Sequence, residues 1–551
     1  MMYDICVIGS GAGAGPIIYE LSKAGFKVCV LEKGEVYKRK DFSKDEIATV
    51  RRDIYTPKLD EEYHTIEENI DGKWIKFPTY ETGWSFWNGN ILGGSSNFMS
   101  GFFYRLKPND FKLKTIYGKA KGSNIEDWPI SYEELEPFYD KVEKIVGVSG
   151  EPSFYKHQEP RSSKNFPFKP LDEHPIVKLI DKASTQLAYS IVKTPRAIIS
   201  KNSNHRSACY YSNYCGSYAC SSGAKGSSRE ALILPSLKTN NVTIIPNAFV
   251  YKLNVNKEKK IISANYYTKE KKSKEIKAKL FVVAAQAVET SRLLLNSKSE
   301  TFPKGLANNS GNVGKNFLST AGGVVSGTFD ETNMELKQLL KPGLFVNRAI
   351  KDFYYTKDFK GGMIELVFDH ANPIKRANSL KWDGSKLLIG KALQDKIYEK
   401  FTKTRTLNIE IFVDWTPNDN SFISVDEKYK DKYGVPVANI RIGAFKDDIK
   451  ISKFLEEKAI ALFKQMKVKN INSNISELPA QNLLAGGCRF GDDPKTSVLN
   501  KHCQAHEINN LFISDASFMP TGGSVPYTFT IYANSFRVAE YIKKNYDKIM
   551  T

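Results

Sequence analysis

The hydrophobic pattern at the start of the chain predicts a strand, a glycine turn, a helix and a second strand. Residues 3–8 and 27–32 are short apolar runs, and the glycine-rich turn of residues 9–15 lies between them. The stretch after the turn has helical periodicity and ends near Gly25. Short apolar runs joined through a helix are typical of neighbouring parallel strands that are buried in one sheet.

Later segments predict that the chain returns to this sheet. Each carries a similar apolar run, and the last run is followed by a helical pattern. The segments are residues 241–253 (a strand and a turn), 279–297 (a buried strand entering a helix), 510–517 (a buried strand that delivers an acid to a loop) and 530–544 (a helix). Segments that are far apart in the sequence can share one core if the chain between them forms another lobe.

The first turn has the spacing of a dinucleotide-binding turn. Gly9 makes the tight turn, Gly11 lets the backbone approach a pyrophosphate at the helix N-terminus, and Ala14 takes the third small position. Glu32, at the end of the second strand, is placed to accept hydrogen bonds from both ribose hydroxyls. Glycines that merely pack would not explain Glu32. The distant returns favour FAD over a nicotinamide dinucleotide, because FAD is long and needs distant segments to hold its ring.

Motifs along nearly the whole chain resemble those of the glucose–methanol–choline (GMC) oxidoreductase family. They are the glycine turn with Glu32, residues 93–97 (Gly-Gly-Ser-Ser-Asn), 104–105 (Tyr-Arg), 108–111 (Pro-Asn-Asp-Phe), 284–297, 312–316 (Asn-Val-Gly-Lys-Asn) and 489–515. The resemblance implies an α/β fold with a Rossmann-like FAD-binding domain of the p-hydroxybenzoate-hydroxylase type. An α+β substrate domain built on an antiparallel sheet would be interleaved with it.

The same resemblance implies how the chain is divided between the two domains. The FAD-binding domain would comprise residues 1–44, 81–111, 206–319 and 476–551, and the substrate domain would comprise residues 45–80, 112–205 and 320–475. The substrate segments carry no cofactor motif, and they mix an amphipathic helix at residues 132–146 with an alternating strand at residues 407–413.

The resemblance also implies which residues hold FAD. Gly9, Gly11 and Glu32 would hold the ADP half, Val250 the adenine, and Asp515 and Ala516 the ribityl chain. Residues Gly94, Ser95, Ser96 and Asn97 would hold the pyrophosphate and the flavin edge. Further cofactor contacts are expected from Ala12, Gly13, Ala14, Lys33, Gly93, Phe249, Ala284, Ala285 and Thr528. The FAD should be noncovalent, because residues 95–98 offer no histidine or cysteine.

Three cysteines lie close together in the middle of the chain. Cys209, Cys215 and Cys220 fall within 12 residues, and three such thiolates can wrap an iron–sulfur cluster. Zinc would need a fourth ligand, for which His205 is the nearby candidate, and free or disulfide-paired cysteines are the third alternative. The loop is similar to that of FAD-dependent sugar dehydrogenases, in which three cysteines before a Gly-Ala pair hold a 3Fe–4S cluster. Residues 223–224 are such a pair.

A cluster would determine the electron acceptor and the partners. Electrons would leave FAD one at a time for a cytochrome or a quinone, which makes the protein a dehydrogenase. Such catalytic chains often travel with a small subunit that bears a twin-arginine signal. The N-terminus here runs directly into the predicted strand and shows no signal peptide. Cytoplasmic residence is therefore expected by default, and periplasmic residence is the alternative if a partner co-exports the chain.

The family pattern fails at the catalytic pair. Oxidation of an alcohol by a flavin needs a base for the hydroxyl proton and a second polar group near the oxygen. The family supplies a histidine and an asparagine or second histidine. Alignment on residues 486–491 places Leu483 at the first position, and alignment on residues 520–530 places Pro526 at the second. Neither side chain can accept a proton.

Three hypotheses follow for the chemistry. A shifted constellation would use Asn482 and Tyr527, with Gln481 or a histidine from another loop as substitutes, although an unperturbed tyrosine is a poor base near neutrality. His502 and His506 are expected at the surface. Alternatively, the enzyme catalyses a flavin reaction that does not start from an alcohol, or the fold binds FAD without turnover. The favoured function is the oxidation of a sugar, sugar acid or other alcohol.

Composition and charge exclude other classes of protein. With 551 residues, 26% charged and 41% hydrophobic, the chain is globular and long enough for two domains. The net charge of +19 permits an anionic partner, but the lysines are scattered and no arginine-rich arm occurs, so nucleic-acid binding is not expected. The chain has no run of about 18 apolar residues, so no transmembrane segment is predicted.

Overall fold

The computed structural model describes residues 2–49, 58, 60–84, 86, 89–478 and 483–551. The strands in this part of the chain are β1 (Tyr3–Ile8), β2 (Val28–Leu31), β3 (Thr65–Ile70), β4 (Lys73–Pro78), β5 (Ile191–Lys193), β6 (Val242–Ile245), β7 (Phe249–Val255), β8 (Ile261–Tyr267), β9 (Ser273–Val283), β10 (Thr320–Phe329), β11 (Arg348–Ile350), β12 (Gly362–Phe368), β13 (Trp382–Asp383), β14 (Lys386–Leu387), β15 (Arg405–Asp414), β16 (Phe422–Lys430), β17 (Pro436–Arg441), β18 (Lys469–Ile475) and β19 (Leu511–Ile513). The α-helices are α1 (Gly15–Lys23), α2 (Glu46–Thr49), α3 (Thr79–Thr82), α4 (Leu113–Tyr117), α5 (Tyr132–Val142), α6 (Val177–Gln186), α7 (Leu234–Leu237), α8 (Ala287–Asn296), α9 (Leu336–Leu339), α10 (Pro373–Ser379), α11 (Gly390–Thr402), α12 (Lys446–Gln465) and α13 (Thr528–Met550).

The first sheet confirms the predicted strand, turn, helix and strand, and the later returns of the chain. Strands β6, β2, β1, β9 and β19 are parallel neighbours, and β7 and β8 extend the sheet by antiparallel pairing. Helix α1 begins with Pro16 in its first turn, and Gly25 follows the helix with a φ of +93°. These residues suit the two helix ends, because proline lacks the N–H that goes unused at an N-terminus and glycine tolerates a left-handed backbone.

A second sheet confirms the predicted antiparallel substrate sheet. Its order is β18-β10-β15-β12-β11-β5, and every described pair in it is antiparallel. Helix α12 covers one face, where Leu455 and Leu462 pack in one core with Ile409 and Ile411 of β15. Side chains alternate along a strand, so Glu410, between those two isoleucines, points away from α12.

A third sheet joins distant segments beside the first one. Its order is β16-β17-β3-β4, and helix α8 contacts β16 and β17. Helix α13 is longer than the predicted 530–544, because buried Ile549 adds a further turn to the core of the first sheet. The predicted helix at 132–146 ends as an α-helix at Val142 and continues as one π turn, Glu143–Gly147, which ends at a glycine with a φ of +79°.

Among the helices of the described ranges, none is both long and apolar enough to cross a membrane. The division of the chain into an FAD-binding domain and a substrate domain, with its boundaries, remains a prediction.

Candidate cofactor and active site

A cavity of about 480 Å³ lies at the carboxyl ends of the parallel strands of the first sheet. Gly9 follows β1, Glu32 follows β2, Ala284 follows β9, and Asp515 lies just beyond β19, and all four line this cavity. Ligands of open α/β sheets bind at this edge, because the loops that leave parallel strands meet there. The volume is in the range of ordinary cofactor sites.

Most of the predicted cofactor residues meet at this cavity. They are Gly9, Gly11, Ala12, Gly13, Glu32, Lys33, Gly94, Ser95, Ser96, Phe249, Val250, Ala284, Ala285, Asp515, Ala516 and Thr528. Ala14, Gly93 and Asn97 do not line it. The side-chain amide of Asn97 donates to the carbonyls of Leu92 and Gly94, and Ala14 is buried beneath the turn. These three residues shape the turns that face the cavity.

The glycines of the first turn differ in what surrounds them. A Cβ on Gly9 would lie 2.4 Å from the carbonyl oxygen of Ala284, and one on Gly13 would lie 2.6 Å from that of Ser514. A Cβ on Gly11 would meet nothing within 4 Å. Gly9 and Gly13 are therefore required by backbone packing, whereas Gly11 leaves open space on the cavity side. This cradle suits a pyrophosphate that approaches the backbone closely.

Glu32 is held rigidly at the rim of this cradle. One carboxylate oxygen accepts the Gly34 N–H at 2.7 Å, and the other accepts the Ser10 hydroxyl. Burial raises the pKa of Glu32, and these hydrogen bonds oppose that rise. Each carboxylate oxygen has a second acceptor position, so Glu32 can still receive ribose hydroxyls as predicted.

Asp515 is already saturated by donors of the protein. One oxygen accepts from the main chain and hydroxyl of Ser517, and the other accepts from the Gln286 N–H and the Thr290 hydroxyl. Four donors use the capacity of a carboxylate. The predicted contact of Asp515 with the ribityl chain must therefore come from its main chain. Its side chain ties the loop after β19 to the start of α8.

A charged cluster that the sequence did not reveal forms one end of the cavity. Glu62 and His64, beside β3, line the same wall as Glu289 and Arg292 of α8. His64 contacts Glu289 at 3.2 Å, and Lys33 pairs with Glu62. Although burial acts in the opposite direction, Arg292, His64 and Lys33 hold the pKa of Glu289 well below its usual value. Phe249 lies under the Lys33 ammonium at 4.8 Å and offers a flat surface beside Val250.

The far part of the cavity contains the altered catalytic positions. Leu483 and Tyr527 line it, and Pro526 is buried beside them. The Tyr527 hydroxyl donates to the carbonyl of Ser319 at 2.6 Å. Burial and then Asp414 raise the pKa of Tyr527 well above its usual value. The geometry therefore does not support Tyr527 as a proton acceptor.

Of the remaining catalytic candidates, the structure describes the two histidines, His502 and His506. Asn482 and Gln481 lie outside the described residues. The His502 ring stacks on Tyr541 at 3.8 Å between centroids, and a ring nitrogen of His506 bonds the Ser497 hydroxyl at 2.9 Å. Neither histidine lines the cavity.

The three central cysteines border a second, small cavity. Cys209, Cys215 and Cys220 line it together with Lys44 and Lys225, and its volume is about 20 Å³. Burial raises the pKa of Cys209 to about 12, whereas Lys225 lowers the pKa of Cys220 despite its burial. Their loop contacts the turn at the predicted flavin edge, because Lys225 Nζ donates to the Asn97 carbonyl at 3.0 Å.

The structure bears on the disulfide and zinc alternatives for these cysteines and leaves free thiols as an alternative. All seven cysteines are free thiols, so no disulfide joins this trio. His205, the proposed fourth zinc ligand, uses a ring nitrogen to bond the Glu230 carbonyl at 2.7 Å. Within the described ranges, no three His, Cys, Asp or Glu side chains converge closely enough to hold a metal ion.

Comparison with known families identifies the class of protein. The N-terminal model of the GMC oxidoreductase family matches residues 76–320, and its C-terminal model matches residues 417–535. The chain belongs to the GMC oxidoreductase family. It is a flavoprotein oxidoreductase, and the cofactor that its main cavity fits is FAD.

Relatives and solved structures agree with this assignment. The chain is 28% identical to 2-methyl-1,2-propanediol dehydrogenase of Mycolicibacterium austroafricanum over 99% of this chain and 96% of the relative. It is 27% identical to the fructose dehydrogenase large subunit of Gluconobacter japonicus over 82% and 80%, and 26% identical to paromamine 6'-oxidase of Streptomyces fradiae over 98% and 91%. The fold matches Aspergillus oryzae formate oxidase with a TM-score of 0.66 at 14% identity, covering 100% of this chain and 99% of that one.

Proposed function

We propose that this chain is an FAD-dependent dehydrogenase that oxidises the CH–OH group of a sugar, a sugar acid or another alcohol. The observation that carries the proposal is the cavity at the ends of β1, β2, β9 and β19, with open space at Gly11. In its far part, Tyr527 bonds the carbonyl of Ser319, just before β10 of the substrate sheet. Relatives whose names give 2-methyl-1,2-propanediol, fructose or paromamine as substrate support this class of reaction.

The residues of this chain bind FAD without a covalent bond. The turn at Gly11 and the turn at Gly94 approach each other closely, since a Cβ on Gly94 would lie 3.0 Å from the Gly11 Cα. Backbone N–H groups of both turns would receive the pyrophosphate, and Glu32 would receive the ribose. When bound, FAD supplies the acceptor for two electrons and one hydrogen. No histidine or cysteine occurs at residues 94–98 to attach the flavin.

A 3Fe–4S cluster on Cys209, Cys215 and Cys220 is the second part of the proposal. The three thiols surround one cavity, and the ammonium groups of Lys44 and Lys225 beside it would balance a negative cluster. A space of about 20 Å³ holds roughly one water, so the loop must widen around the cluster. In such a cluster each thiolate binds a different iron atom, so the three sulfur atoms need not converge on a single ion.

The position of the cysteine loop suits transfer of electrons from the flavin to an external acceptor. Its inner side contacts the flavin-edge turn, because the Ser217 N–H donates to the Phe98 carbonyl at 2.9 Å. Its outer side carries Tyr210, which is 53% exposed. Ile47 and Ile374 are 67% and 51% exposed nearby, and Glu46 joins their segments by accepting the Ile374 N–H at 2.6 Å.

We assign this outer surface, defined by Ile47, Tyr210 and Ile374, to a partner that accepts electrons or accompanies the chain. A cytochrome is the proposed acceptor, and a small signal-bearing subunit is the proposed companion. With such a companion the enzyme would act in the periplasm, and without one it would stay in the cytoplasm. The naming of one relative as a large subunit supports a companion.

Replacing Ile374 with glutamate tests the partner surface. A buried charge opposes docking, so the KM for a cytochrome acceptor should rise by about tenfold or more, while anaerobic bleaching of the flavin by substrate stays unchanged. Ile262 on β8 is 47% exposed and lies on another part of the protein, so Ile262→Glu is the matched control. Equal KM values for the two variants would contradict the assignment.

Anaerobic mixing of the purified protein with sugars, sugar acids and simple alcohols tests the reaction itself. We expect one class of these compounds to bleach the flavin absorbance and to yield the corresponding carbonyl compound. Bleaching by another electron donor, with none from alcohols, would indicate a flavin reaction that starts from another group. A flavin that no donor class reduces would indicate a protein that binds FAD without turnover.

A further inference from the structure

A basic arm with an exposed apolar face connects β12 and β15 of the substrate sheet. It comprises residues 373–403, which form α10, the hairpin of β13 and β14, and α11. No residue of these two helices and two strands, all of which lie in the described part of the chain, is buried. The arm therefore lies outside the cores of the three sheets, and its exposed side chains are available to a partner.

Contacts within the arm hold its parts together. The Lys396 ammonium of α11 donates to the Trp382 carbonyl of β13 at 3.1 Å. The Arg376 guanidinium of α10 lies 5.0 Å from the centre of the Phe401 ring of α11. At the root of the arm, the Glu46 carboxylate accepts two N–H groups from the start of α10, at 2.6 and 2.9 Å. The arm is thus an ordered unit that is fixed to the main body.

Three large apolar side chains form one face of the hairpin. Trp382 and Leu387 are directly opposed partners on β13 and β14, so their side chains lie on the same face. Ile389 follows Leu387 by two residues in extended backbone and repeats that face. These three residues are 50%, 49% and 74% exposed, whereas Leu388 between the last two is half-buried. Adjoining exposed apolar side chains of this size mark an interaction surface.

Positive charge surrounds this apolar face. Residues 373–403 contain eight lysine or arginine residues and three aspartate or glutamate residues. The basic residues are spread over α10, the hairpin and α11, and Lys381 and Lys386 directly adjoin the opposed pair in the sequence. A planar array of anionic headgroups can meet charges that are spread in this way. Tryptophan favours the boundary between headgroups and hydrocarbon, which favours a lipid surface over an acidic protein.

We propose that the arm docks this protein on an anionic lipid surface. Trp382, Leu387 and Ile389 enter the boundary between the headgroups and the acyl chains, and the surrounding basic side chains contact lipid phosphates. The net charge of +19 on the whole chain adds attraction at longer range. The inference goes beyond the proposed function and uses no residue of the FAD cavity.

Co-sedimentation of the FAD-loaded protein with lipid vesicles tests the inference. We expect binding to phosphatidylcholine vesicles that contain phosphatidylglycerol, little binding to vesicles of phosphatidylcholine alone, and weaker binding as the salt concentration rises. Ile389→Glu should weaken binding by about tenfold or more, because a charge replaces an apolar side chain that enters the lipid. Lys386→Gln should weaken binding by about fivefold, the contribution of one lysine near an anionic surface.

Tryptophan fluorescence reports on the apolar face directly. Trp382 leaves water when the arm docks, so its emission should shift to shorter wavelength when anionic vesicles are added. The contribution of Trp382 is the difference between the spectra of the wild type and of Trp382→Phe. An emission from Trp382 that does not change in the presence of bound vesicles would overturn the insertion of this face.

Matched control variants carry the same changes elsewhere on the surface. Ile262→Glu on β8 and Lys274→Gln on β9, both at exposed positions, should bind vesicles as the wild type does. Equal binding by Ile389→Glu and the wild type would overturn the inference, because charge alone would then hold the protein. It would also be overturned by a wild type that ignores anionic vesicles and forms a dimer that Ile389→Glu dissociates, since a second copy would then cover the face.

The proposed function is tested separately in the same samples. Anaerobic bleaching of the flavin by an alcohol should be the same in Ile389→Glu and the wild type. A failure of vesicle binding with normal bleaching would therefore overturn the lipid inference and leave the proposed reaction intact.

Discussion

Replacing Cys215 with alanine is expected to remove iron and sulfide from the purified protein while leaving FAD bound. Cys215 is one of three thiols around the small cavity, and a cluster that loses one of three ligands exposes an iron to solvent and to loss. Turnover with a one-electron acceptor should fall to background. Anaerobic bleaching of the flavin by substrate should persist, because the cysteine loop contributes nothing to the FAD cavity.

Chemical assays for iron and sulfide, with a visible spectrum of the same sample, check this prediction. Cys29→Ala is the matched control, since Cys29 is buried in β2 and lies far from the loop in the sequence. That variant should lose about 1 kcal/mol of stability but keep its iron. Iron that is retained in Cys215→Ala, or a wild type without iron, would contradict the cluster.

Replacing Gly11 with valine is expected to abolish FAD binding while the protein stays folded. A Cβ at Gly11 meets no protein atom within 4 Å, so the valine methyl groups enter the space that the pyrophosphate needs. The cofactor would lose hydrogen bonds to charged oxygens worth about 1.5–3 kcal/mol each, and its affinity should fall by about 100-fold or more. Flavin fluorescence titration and thermal unfolding of the apoprotein check the two parts of this prediction.

Two neighbouring changes make the Gly11→Val result specific. Gly13→Val drives its Cβ into the backbone of Ser514 and Asp515, so it should lower the thermal stability of the apoprotein as well as FAD binding. Ala24→Val adds methyl groups at an exposed position after α1 and should change neither. A Gly11→Val protein that binds FAD as tightly as the wild type would contradict the placement of the cofactor.

The parts of the fold that could be predicted from the sequence are those that local sequence patterns determine. The strand, turn, helix and strand of residues 3–32 and the buried strands β9 and β19 follow from apolar runs of a few residues. Gly9 and Gly11 were identifiable because their spacing reports a turn geometry that few other residues allow.

The charged end of the cavity was not predictable from local sequence. His64 and Glu289 lie more than 200 residues apart. They meet only because α8 packs on β16 and β17 of the third sheet, and β3 pairs with β17 in that sheet. The role of Asp515 was also hidden, since its four donors come from two separate segments. No sequence spacing reports such contacts.

The proposed electron path can be tested by an anaerobic titration that counts the electrons taken up from substrate. We expect substrate to load about three electrons per protein, two on FAD and about one on the cluster. The cluster signal in electron paramagnetic resonance should disappear as the flavin bleaches. About two electrons in a protein that contains no iron would contradict the electron path. No uptake of electrons from any alcohol would contradict the proposed reaction.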